Sequence, residues 1–451
     1  MDVAEFERAA EAFAAFHRRF APLFGRAEAR ARSGQYLRGL LVQRADRRNA
    51  ENLAEAVDGA SPRALQRLLT EAPWPTDPVL DRLQAYVAEH LEHPDAVLVV
   101  DETGFPKQGK QSVGVARQYS GTLGKVGNCQ VGVFLAYASE RGHALVDAEL
   151  YLPKGWTDDP ARCRAAGVPE EVGFRTKPEL GLALLAQARA RGHLQARWVT
   201  ADEVYGGVPE FRDALDADGW WYVLEVPLAT TVFPRPARPA SAPELGPAAA
   251  RIRRRTDLAA PRPVSALAEA LPPEQWHTLA VADGAQGPRI YHFAGLRARE
   301  HRHGTPGRQT WVLFRRNPDG SELKAYLSNA PARTPLLVLG RVGARRWAIE
   351  TGFQTDKGQV GLDEYEVRGW AGWHHHVVLA LLAGAFLLGL RQEWGEKDAP
   401  ADPAAGQSGP PRDPAPPDLD APRLAGLADR HPGPQRARQT LPRQTPPPQA
   451  A

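Results

Sequence analysis

Residues 96–101 read AVLVVD and residues 197–202 read RWVTAD, so two apolar runs each end in an aspartate. Continuous apolar runs of this length are typical of central strands that are buried on both faces. If the strands are neighbours in one sheet, Asp101 and Asp202 lie at the same edge, where α/β sheets often bind ligands. Carboxylate oxygens without a cysteine partner favour Mg²⁺ or Mn²⁺ over zinc. The alternative is that each aspartate only caps a turn or a following helix.

The segments around these two runs predict an α/β fold built on a mixed sheet. The first run is followed by two more strand-like runs joined by a Gly-rich turn, which together predict an antiparallel meander. The predicted elements after the first run are strands at 112–120 and 129–139, a helix at 178–192, a strand at 196–202, a helix at 208–217 and a strand at 220–226.

The N-terminal part of the chain predicts a separate helical module, because apolar residues recur at helical spacing from Val3 to about Trp74. Between Arg18 and Arg48 there are nine arginines and few acids. Such a segment suits a surface that faces DNA phosphates, whereas the alternative is an ordinary solvated helix face. The arginines are Arg18, Arg19, Arg26, Arg30, Arg32, Arg38, Arg44, Arg47 and Arg48.

The second half of the chain predicts an interruption of the sheet and then a return to helices. A Pro- and Ala-rich connector at 233–250 is followed by a basic cluster at 251–255. Short alternating runs from Trp276 to Asn329, with the turn NPDG at 317–320, predict a β-rich insertion. Helical spacing resumes near Leu336 and ends in a hydrophobic helix from His374 to about Trp394.

Composition limits the class of protein. The chain has 451 residues, a formal net charge of +3 and two cysteines, so a collagen-like chain and a disulfide framework are both excluded. The run Val377–Leu390 falls short of a membrane span, and the N-terminus does not resemble a secretory signal. We therefore expect a cytoplasmic protein without a membrane partner. From about Asp398 the composition predicts a disordered Pro-rich tail.

A third acid lies in the segment RRWAIETGFQTDKG at 345–358. Helical offsets of 4 and 7 residues place Arg346, Glu350 and Lys357 near one another on one face. An ordinary pair of intrahelical ion contacts would explain this spacing. Together with the two aspartates, it instead favours a metal-binding glutamate flanked by cations that hold DNA phosphates.

Other candidate residues have simpler alternatives. Four basic residues close in sequence to Asp101 are predicted to line a DNA path, unless they are solvated loop charges: Lys107, Lys110, Arg117 and Lys125. Two tryptophans at 156 and 347 could stack on a base, although burial in a core is the expected outcome. The histidines at 374–376 point in different directions on a helix, so we expect no metal site there. Neighbouring residues on a strand face opposite sides, which leaves Glu102 and Glu203 outside the site.

Several segments, taken in order, resemble the DDE insertion-sequence transposases with a ribonuclease-H-like catalytic core, especially insertion-sequence family 701. The resemblance covers roughly Val97 to Leu390. Its most specific stretches are DETGFPKQGKQSVGVARQYSGTLGKVGNCQVGVFL at 101–135, LYLPKGWTDDPARCRAAGVPE at 150–170, FRTKPEL at 174–180, TADEVYG at 200–206 and RRWAIETGFQTDKGQVGLDEYEVRGWAGWHHHVVLALLAGAFLL at 345–388.

The resemblance implies a catalytic triad of Asp101, Asp202 and Glu350 that binds two divalent ions, Mg²⁺ or Mn²⁺, with a β-rich insertion before the glutamate. A related branch has the signature Tyr-x2-Arg-x3-Glu-x6-Lys around this glutamate. Here Arg346, Glu350 and Lys357 match, whereas Gly343 occupies the tyrosine position. Contact of Arg346 and Lys357 with DNA phosphates is therefore expected, and the contact made by the tyrosine is not.

The function implied is divalent-metal-dependent cleavage and strand transfer of an insertion sequence. The expected partners are double-stranded DNA, namely the terminal inverted repeats and the target, and a second copy of the chain, forming a homodimer on DNA in the cytoplasm at the nucleoid. Two alternatives are a catalytically silent DNA-binding regulator and a stand-alone nuclease of the same fold. The expected division is a helical DNA-binding module at 1–94, a catalytic core at 95–232 and 336–396, a β-rich insertion at 233–335 and a disordered tail at 397–451.

Overall fold

The computed structural model describes residues 3–42, 47–121, 124–234, 260–284 and 287–397. Most of the predicted connector, the basic cluster at 251–255 and almost all of the predicted tail lie outside the described residues. The described part is an α/β fold in which helices pack on one mixed sheet. This confirms the predicted fold class.

The N-terminal segment is helical, as its apolar spacing predicts. One face of the first helix is aromatic and buried, and Phe13 meets Phe386 of the last helix edge to face at 5.5 Å. The Ser61 hydroxyl accepts a hydrogen bond from the backbone N–H of Ala64 and caps the fourth helix, which begins at Pro62. The helices are α1 Val3–Phe20, α2 Ala27–Val42, α3 Ala50–Glu55, α4 Pro62–Thr70 and α5 Thr76–Leu91, with a 3₁₀ turn at Ala21–Phe24.

The core sheet contains six strands: β1 Val97–Pro106, β2 Ala116–Ser120, β3 Lys125–Ser139, β4 Gly142–Leu150, β5 Trp198–Ala201 and β6 Trp221–Val226. The long strand β3 pairs antiparallel with β1 on one side, and with β2 and then β4 on the other. Strands β5 and β6 run parallel to β1, so the core order is β4-β3-β1-β5-β6.

The predicted meander was therefore wrong in two details. The predicted strand at 112–120 begins only at Ala116, because residues 112–115 form a turn. Sequence reasoning also missed β4, which carries the buried Asp147 in its middle. The ion pair with Arg191 makes the burial of Asp147 tolerable. Because Asp147 is charged, it breaks the apolar pattern that marks a buried strand.

The helices between β4 and β6 cross over the sheet and keep β1, β5 and β6 parallel. The longest begins with a capping box between Thr176 and Glu179 and ends at Gly192, which adopts the left-handed conformation at φ +75°. The predicted helix at 178–192 is thus confirmed. The five are α6 Lys154–Thr157, α7 Pro160–Ala165, α8 Lys177–Arg191, α9 Glu203–Gly206 and α10 Pro209–Ala217.

The β-rich insertion continues the core sheet. Its last strand pairs antiparallel with β6, through Tyr326 opposite Glu225, so that the twelve described strands belong to one sheet. A second, smaller apolar core lies within it, formed by residues such as Val232, Val312 and Phe314. Its elements are β7 Thr231–Pro234, β8 Arg262–Pro263, α11 Val264–Glu269, β9 His277–Gly284, β10 Gly287–Arg302, β11 Thr305–Arg316 and β12 Lys324–Ser328, with a 3₁₀ turn at Pro273–Gln275.

The chain returns to the core with three helices: α12 Leu336–Ala344, α13 Trp347–Val360 and α14 Trp370–Lys397. The last is long and apolar enough to cross a membrane, but 83% of its most apolar window, which lies within Trp370–Trp394, is buried inside the protein. The N-terminal helices and β4 pack around it. Its hydrophobicity is therefore accounted for by its position in the core.

A buried ion cluster joins the insertion to α10. Glu300 of β10 is 1% exposed and pairs with Arg212 of α10 at 3.2 Å and with Arg308 of β11 at 2.9 Å. Arg302 forms a third pair at 2.6 Å. Although burial raises the pKa of the Glu300 carboxyl, these three guanidinium groups hold it below its usual value.

We expect Glu300→Gln to lower the free energy of unfolding by about 3 kcal/mol, because it leaves the buried Arg212 without its counter-ion, whereas Arg302 and Arg308 keep their pairs with Asp213. Chemical denaturation of the two proteins measures this difference. Glu322→Gln is the matched control, since Glu322 is 52% exposed beside Arg315, and its loss should be below about 1 kcal/mol. Equal losses in both variants would show that the cluster does not anchor the insertion.

Candidate active site

Asp101 and Asp202 lie on neighbouring parallel strands at the same level of the sheet. The last paired residues of β1 and β5 are Val100 and Ala201, and each aspartate is the next residue of its chain segment. Asp202 also caps α9, since its Oδ1 accepts a hydrogen bond from the Val204 N–H at 3.0 Å. Asp202 therefore both caps α9 and lies level with Asp101 at the end of the neighbouring strand.

Burial and mutual repulsion make ionisation of the two aspartates costly. Burial, and then the charge of Asp202, raise the pKa of Asp101 well above its ordinary value. Burial, and then the charge of Glu102, raise the pKa of Asp202 to about 6. The nearby Arg346 opposes both shifts. The pair thus forms a concentrated acidic site that a cation would stabilise.

Arg346 bridges the aspartates to Glu350. It precedes α13, and its Nη1 lies 2.6 Å from Glu350 Oε1 and 3.5 Å from Asp101 Oδ2. The Glu350 side chain is 55% exposed, whereas that of Arg346 is mostly buried. Although burial lowers the pKa of Arg346, the charges of Glu350 and Asp101 raise it. The structure therefore brings Glu350 to the face of the sheet where Asp101 lies.

Gly343 lies where the related signature has tyrosine, and the surrounding packing explains the small residue. A Cβ at this position would lie 3.3 Å from Val223 of β6 and 3.7 Å from the Tyr326 ring of β12. A larger side chain would therefore crowd Val223. The departure from the signature is thus tied to the way α12 packs on β6.

Sequence reasoning missed Glu225. This residue of β6 is buried and follows Leu224, the partner of Ala201 on β5, so it is level with Asp202. Lys324 of β12 lies 2.9 Å from its Oε1, and Arg346 Nε lies 3.6 Å from its Oε2. The segment WWYVLEV carries the same signal as the two aspartates, an acid near the end of an apolar strand. That signal could have identified Glu225.

Glu102, which the sequence pattern left outside the site, lies close enough to Asp202 for its charge to raise the pKa of that carboxyl. The Glu102 side chain lies on the opposite face from Asp101 and pairs with Lys177 of α8 at 2.6 Å. Glu203 is exposed. Among the described residues, the acids and histidines whose ligand atoms lie within 4.8 Å of one another are His93, Asp95 and Glu140, at the other end of β1. This group is largely exposed. The carboxylate oxygens of Asp101, Asp202 and Glu350 do not all lie within 4.8 Å of one another.

The predicted DNA-binding lysines make intramolecular contacts. Lys357 Nζ donates to Thr103 Oγ1 at 2.8 Å and to the Gly104 carbonyl at 3.2 Å, which ties α13 to β1. Lys107 Nζ lies 3.6 Å from the centre of the Tyr365 ring, and burial lowers its pKa to about 8. By contrast, Lys110 and Arg117 are exposed.

The aromatic candidates are mainly structural. Trp156 is 2% exposed and donates from Nε1 to the Val115 carbonyl at 2.9 Å, as a core residue does. Trp347 lies between Arg289 of the insertion and His143 of β4. The three histidines of α14 point to different partners, as expected. His374 faces Glu149, His375 contacts the carbonyls of Leu69 and Trp74, and His376 contacts Tyr36.

A family model described as DDE superfamily endonuclease matches residues 19–288. This match covers more than half of the chain, which therefore belongs to the DDE superfamily of endonucleases. The matched range contains Asp101 and Asp202 and ends before Glu350.

Among individual proteins, the chain is similar to a probable transposase for insertion sequence element IS701 from Microchaete diplosiphon, at 28% identity over 194 residues. The alignment covers 43% of this chain and 48% of the relative, so the chain spans about half the length of the relative. The piggyBac transposase synaptic complex with hairpin DNA aligns with 67% of this chain and 49% of its own, at 11% identity and a TM-score of 0.29.

A divalent metal ion fits the donor set of the site. Asp101 and Asp202 offer hard carboxylate oxygens, and burial together with neighbouring acids raises the pKa of both groups, so a bound cation would stabilise their charged forms. Glu350 offers a third carboxylate on the same face, and it would have to exchange its contact with Arg346 to join them.

We expect Asp202→Asn to raise the melting temperature by a few degrees at pH 7.5 in a chelator. The folded-state pKa of Asp202 is about 6, above the ordinary value of 3.8. The aspartate therefore lowers the free energy of unfolding, and this loss grows as pH rises between the two values. The gain should therefore shrink at pH 4.5. Mn²⁺ should stabilise the wild type but not the variant, as measured by calorimetry.

Asp58→Asn provides the control, since Asp58 is an exposed residue between α3 and α4. It should change neither the melting temperature nor its response to Mn²⁺. If Mn²⁺ stabilises wild type and Asp202→Asn equally, the aspartate pair does not hold the metal.

Proposed function

We propose that the chain is a transposase that cleaves DNA at the ends of an insertion sequence and joins the freed end to target DNA. The observation that carries the proposal is the buried pair of Asp101 and Asp202, with Glu350 linked to it by Arg346. Membership of the DDE superfamily of endonucleases and the similarity to a probable insertion-sequence transposase support it.

In this proposal Asp101, Asp202 and Glu350 hold two divalent ions, Mg²⁺ or Mn²⁺. Such ions lower the pKa of a bound water or hydroxyl and stabilise the leaving oxygen of a phosphodiester. Cleavage and joining are then the same in-line displacement with different nucleophiles, first water and later a DNA 3′-hydroxyl. One site therefore serves both steps.

The protein side chains orient the substrate and balance charge. Arg346, which already holds two acids of the site, would exchange one of them for a phosphate oxygen. Glu225 and Lys324 keep Arg346 at the edge of β6, so the insertion contributes a residue next to the site. Lys357 fixes α13 on β1 and thereby sets the position of Glu350.

The proposed substrates are the terminal inverted repeats and the target, both double-stranded DNA, and the working form is a homodimer that joins two ends. This assigns the protein to the cytoplasm at the nucleoid. We also propose that the division inferred from the sequence, with residues 1–94 as a DNA-binding module, has functional meaning. Exposure of Arg18, Arg26, Arg30, Arg38 and Arg47 supports phosphate contact by that module.

The strand-transfer reaction tests the proposal directly. Purified protein, Mg²⁺ or Mn²⁺ and a DNA duplex from the sequence that flanks its own gene should give cleaved and joined products. Asp202→Ala should lower the rate of cleavage and joining at least about a thousandfold, because one proposed metal ligand is removed.

The other outcomes separate the alternatives. Equal DNA binding by both proteins without cleavage under either metal would indicate a silent regulator. Metal-dependent cleavage without joining would indicate a stand-alone nuclease.

The helical module has its own test. Replacement of Arg18 and Arg26 by alanine should weaken DNA binding on every sequence, and the slope of log K against log salt should fall by about 2. Fluorescence anisotropy across a salt series measures it. Arg63→Ala, an exposed arginine of α4 outside this segment, should leave the slope unchanged. If the double variant at Arg18 and Arg26 keeps the wild-type slope, as Arg63→Ala should, the Arg18–Arg48 segment does not face DNA phosphates.

A further inference from the structure

Arg346 contacts three acids through two different nitrogen atoms. Its Nη1 lies 2.6 Å from Glu350 Oε1 and 3.5 Å from Asp101 Oδ2. Its Nε, by contrast, lies 3.6 Å from Glu225 Oε2. These are the acids that form ion pairs with Arg346 in the described part of the chain. Because the guanidinium is planar and rigid, Arg346 links β1, β6 and α13 through one group of fixed geometry.

Arg346 shares two of these three partners with the proposed metal site. Asp101 and Glu350 are proposed ligands, so a divalent ion and the guanidinium compete for the same carboxylate oxygens. The Arg346 side chain is only 17% exposed, and a buried cation is costly without an acid beside it. Metal binding therefore requires another acid close to Arg346.

Glu225 meets this requirement without belonging to the proposed ligands. It is 8% exposed and follows Leu224, which is level with Ala201, so its carboxylate lies beside the end of β5. Its distance of 3.6 Å from Arg346 is longer than that of a charged hydrogen bond, which is about 2.7 to 2.9 Å. The contact is therefore weak while Nη1 holds Asp101 and Glu350, and it can tighten when Nη1 leaves them.

The insertion keeps the Glu225 carboxylate in place. Lys324 Nζ of β12 lies 2.9 Å from Glu225 Oε1 and 3.2 Å from Oε2. Antiparallel pairing of β12 with β6 brings the two side chains together. An ionised carboxylate accepts up to about four hydrogen bonds, so the pair with Lys324 leaves room for Arg346.

We propose that Glu225 is a positioning residue that takes over Arg346 when a divalent ion binds Asp101 and Glu350. The guanidinium stays on Glu225 through Nε, and its Nη1 is released for a phosphate oxygen of DNA. The pair of Glu225 and Lys324 thereby sets how readily the site accepts the metal. This inference rests on the proposed function and adds a residue from outside the triad to it.

A replacement that leaves the local charge unchanged tests this role. Glu225→Gln together with Lys324→Met removes one acid and one cation from the full chain. The apparent Kd for Mn²⁺, obtained from the melting temperature across a Mn²⁺ series, should rise about tenfold, because Arg346 then has no other acid to receive it. An unchanged Kd overturns the proposal.

The exposed ion pair of Arg67 and Glu71 on α4 provides the matched control. Glu71→Gln together with Arg67→Met is also neutral in charge, and it should leave the Kd for Mn²⁺ unchanged. A rise in Kd as large as that of the Glu225 variant would be a general effect of removing an ion pair, which contradicts the assignment.

Removal of the competing cation separates an indirect role of Glu225 from a direct one. Arg346→Met should lower the Kd for Mn²⁺ about tenfold, and on this background the replacement of Glu225 and Lys324 should change it less than about twofold. An equal rise on both backgrounds would mean that Glu225 acts on the metal directly, and the proposal would be wrong. Arg346→Gln gives the same comparison if Arg346→Met does not fold.

These measurements use neither DNA nor turnover. If wild type binds Mn²⁺ and cleaves DNA while the paired replacement leaves the Kd unchanged, only the role of Glu225 is lost. If wild type does not bind Mn²⁺, the proposed metal-dependent function fails together with this role.

Discussion

The repulsion between two buried carboxylates, Asp101 and Asp202, is the constraint on which the rest of the structure depends. Parallel pairing of β1 and β5 forces the two acids together, and the helical crossover through α8 makes that pairing possible. Arg346 provides the nearby positive charge, and it lies just after α12, which packs on β6 at Gly343. The strand pairing, the crossover and the position of Arg346 therefore all affect how the charge of Asp101 and Asp202 is balanced.

The parts of the site predicted from sequence share a local signal. Asp101 and Asp202 each end an apolar run, and Arg346 and Glu350 are four residues apart at the start of α13, so a short window contains the evidence. Glu225 carries the same signal near the end of WWYVLEV, but its partner Lys324 is distant in sequence, and the two meet only when β12 pairs with β6. Lys357 was assigned to phosphate, but its contact with Thr103 depends on how α13 lies on β1.

Strand β4 and the last helix show the limits of periodicity. Asp147 interrupts an apolar pattern, and only the tertiary contact with Arg191 explains a charge inside a strand. In α14, a long apolar run has the composition of a membrane span, whereas its surroundings show a core helix wrapped by α1, α2, α4 and α5. Side-chain composition is the same in both cases, so only the neighbours distinguish them. The aromatic contact between Phe13 and Phe386 belongs to that wrapping.

The continuous sheet has a consequence for the exposure of strand β6. Strand β6 is apolar and buried, and β12 satisfies the backbone groups along its outer side. Without residues 233–335, this strand would become a bare sheet edge, and such edges recruit strands from other molecules and drive aggregation. The insertion therefore also acts as a permanent cover for the core, and a shortened chain would need a new edge strand or charged residues on β6 to remain dispersed.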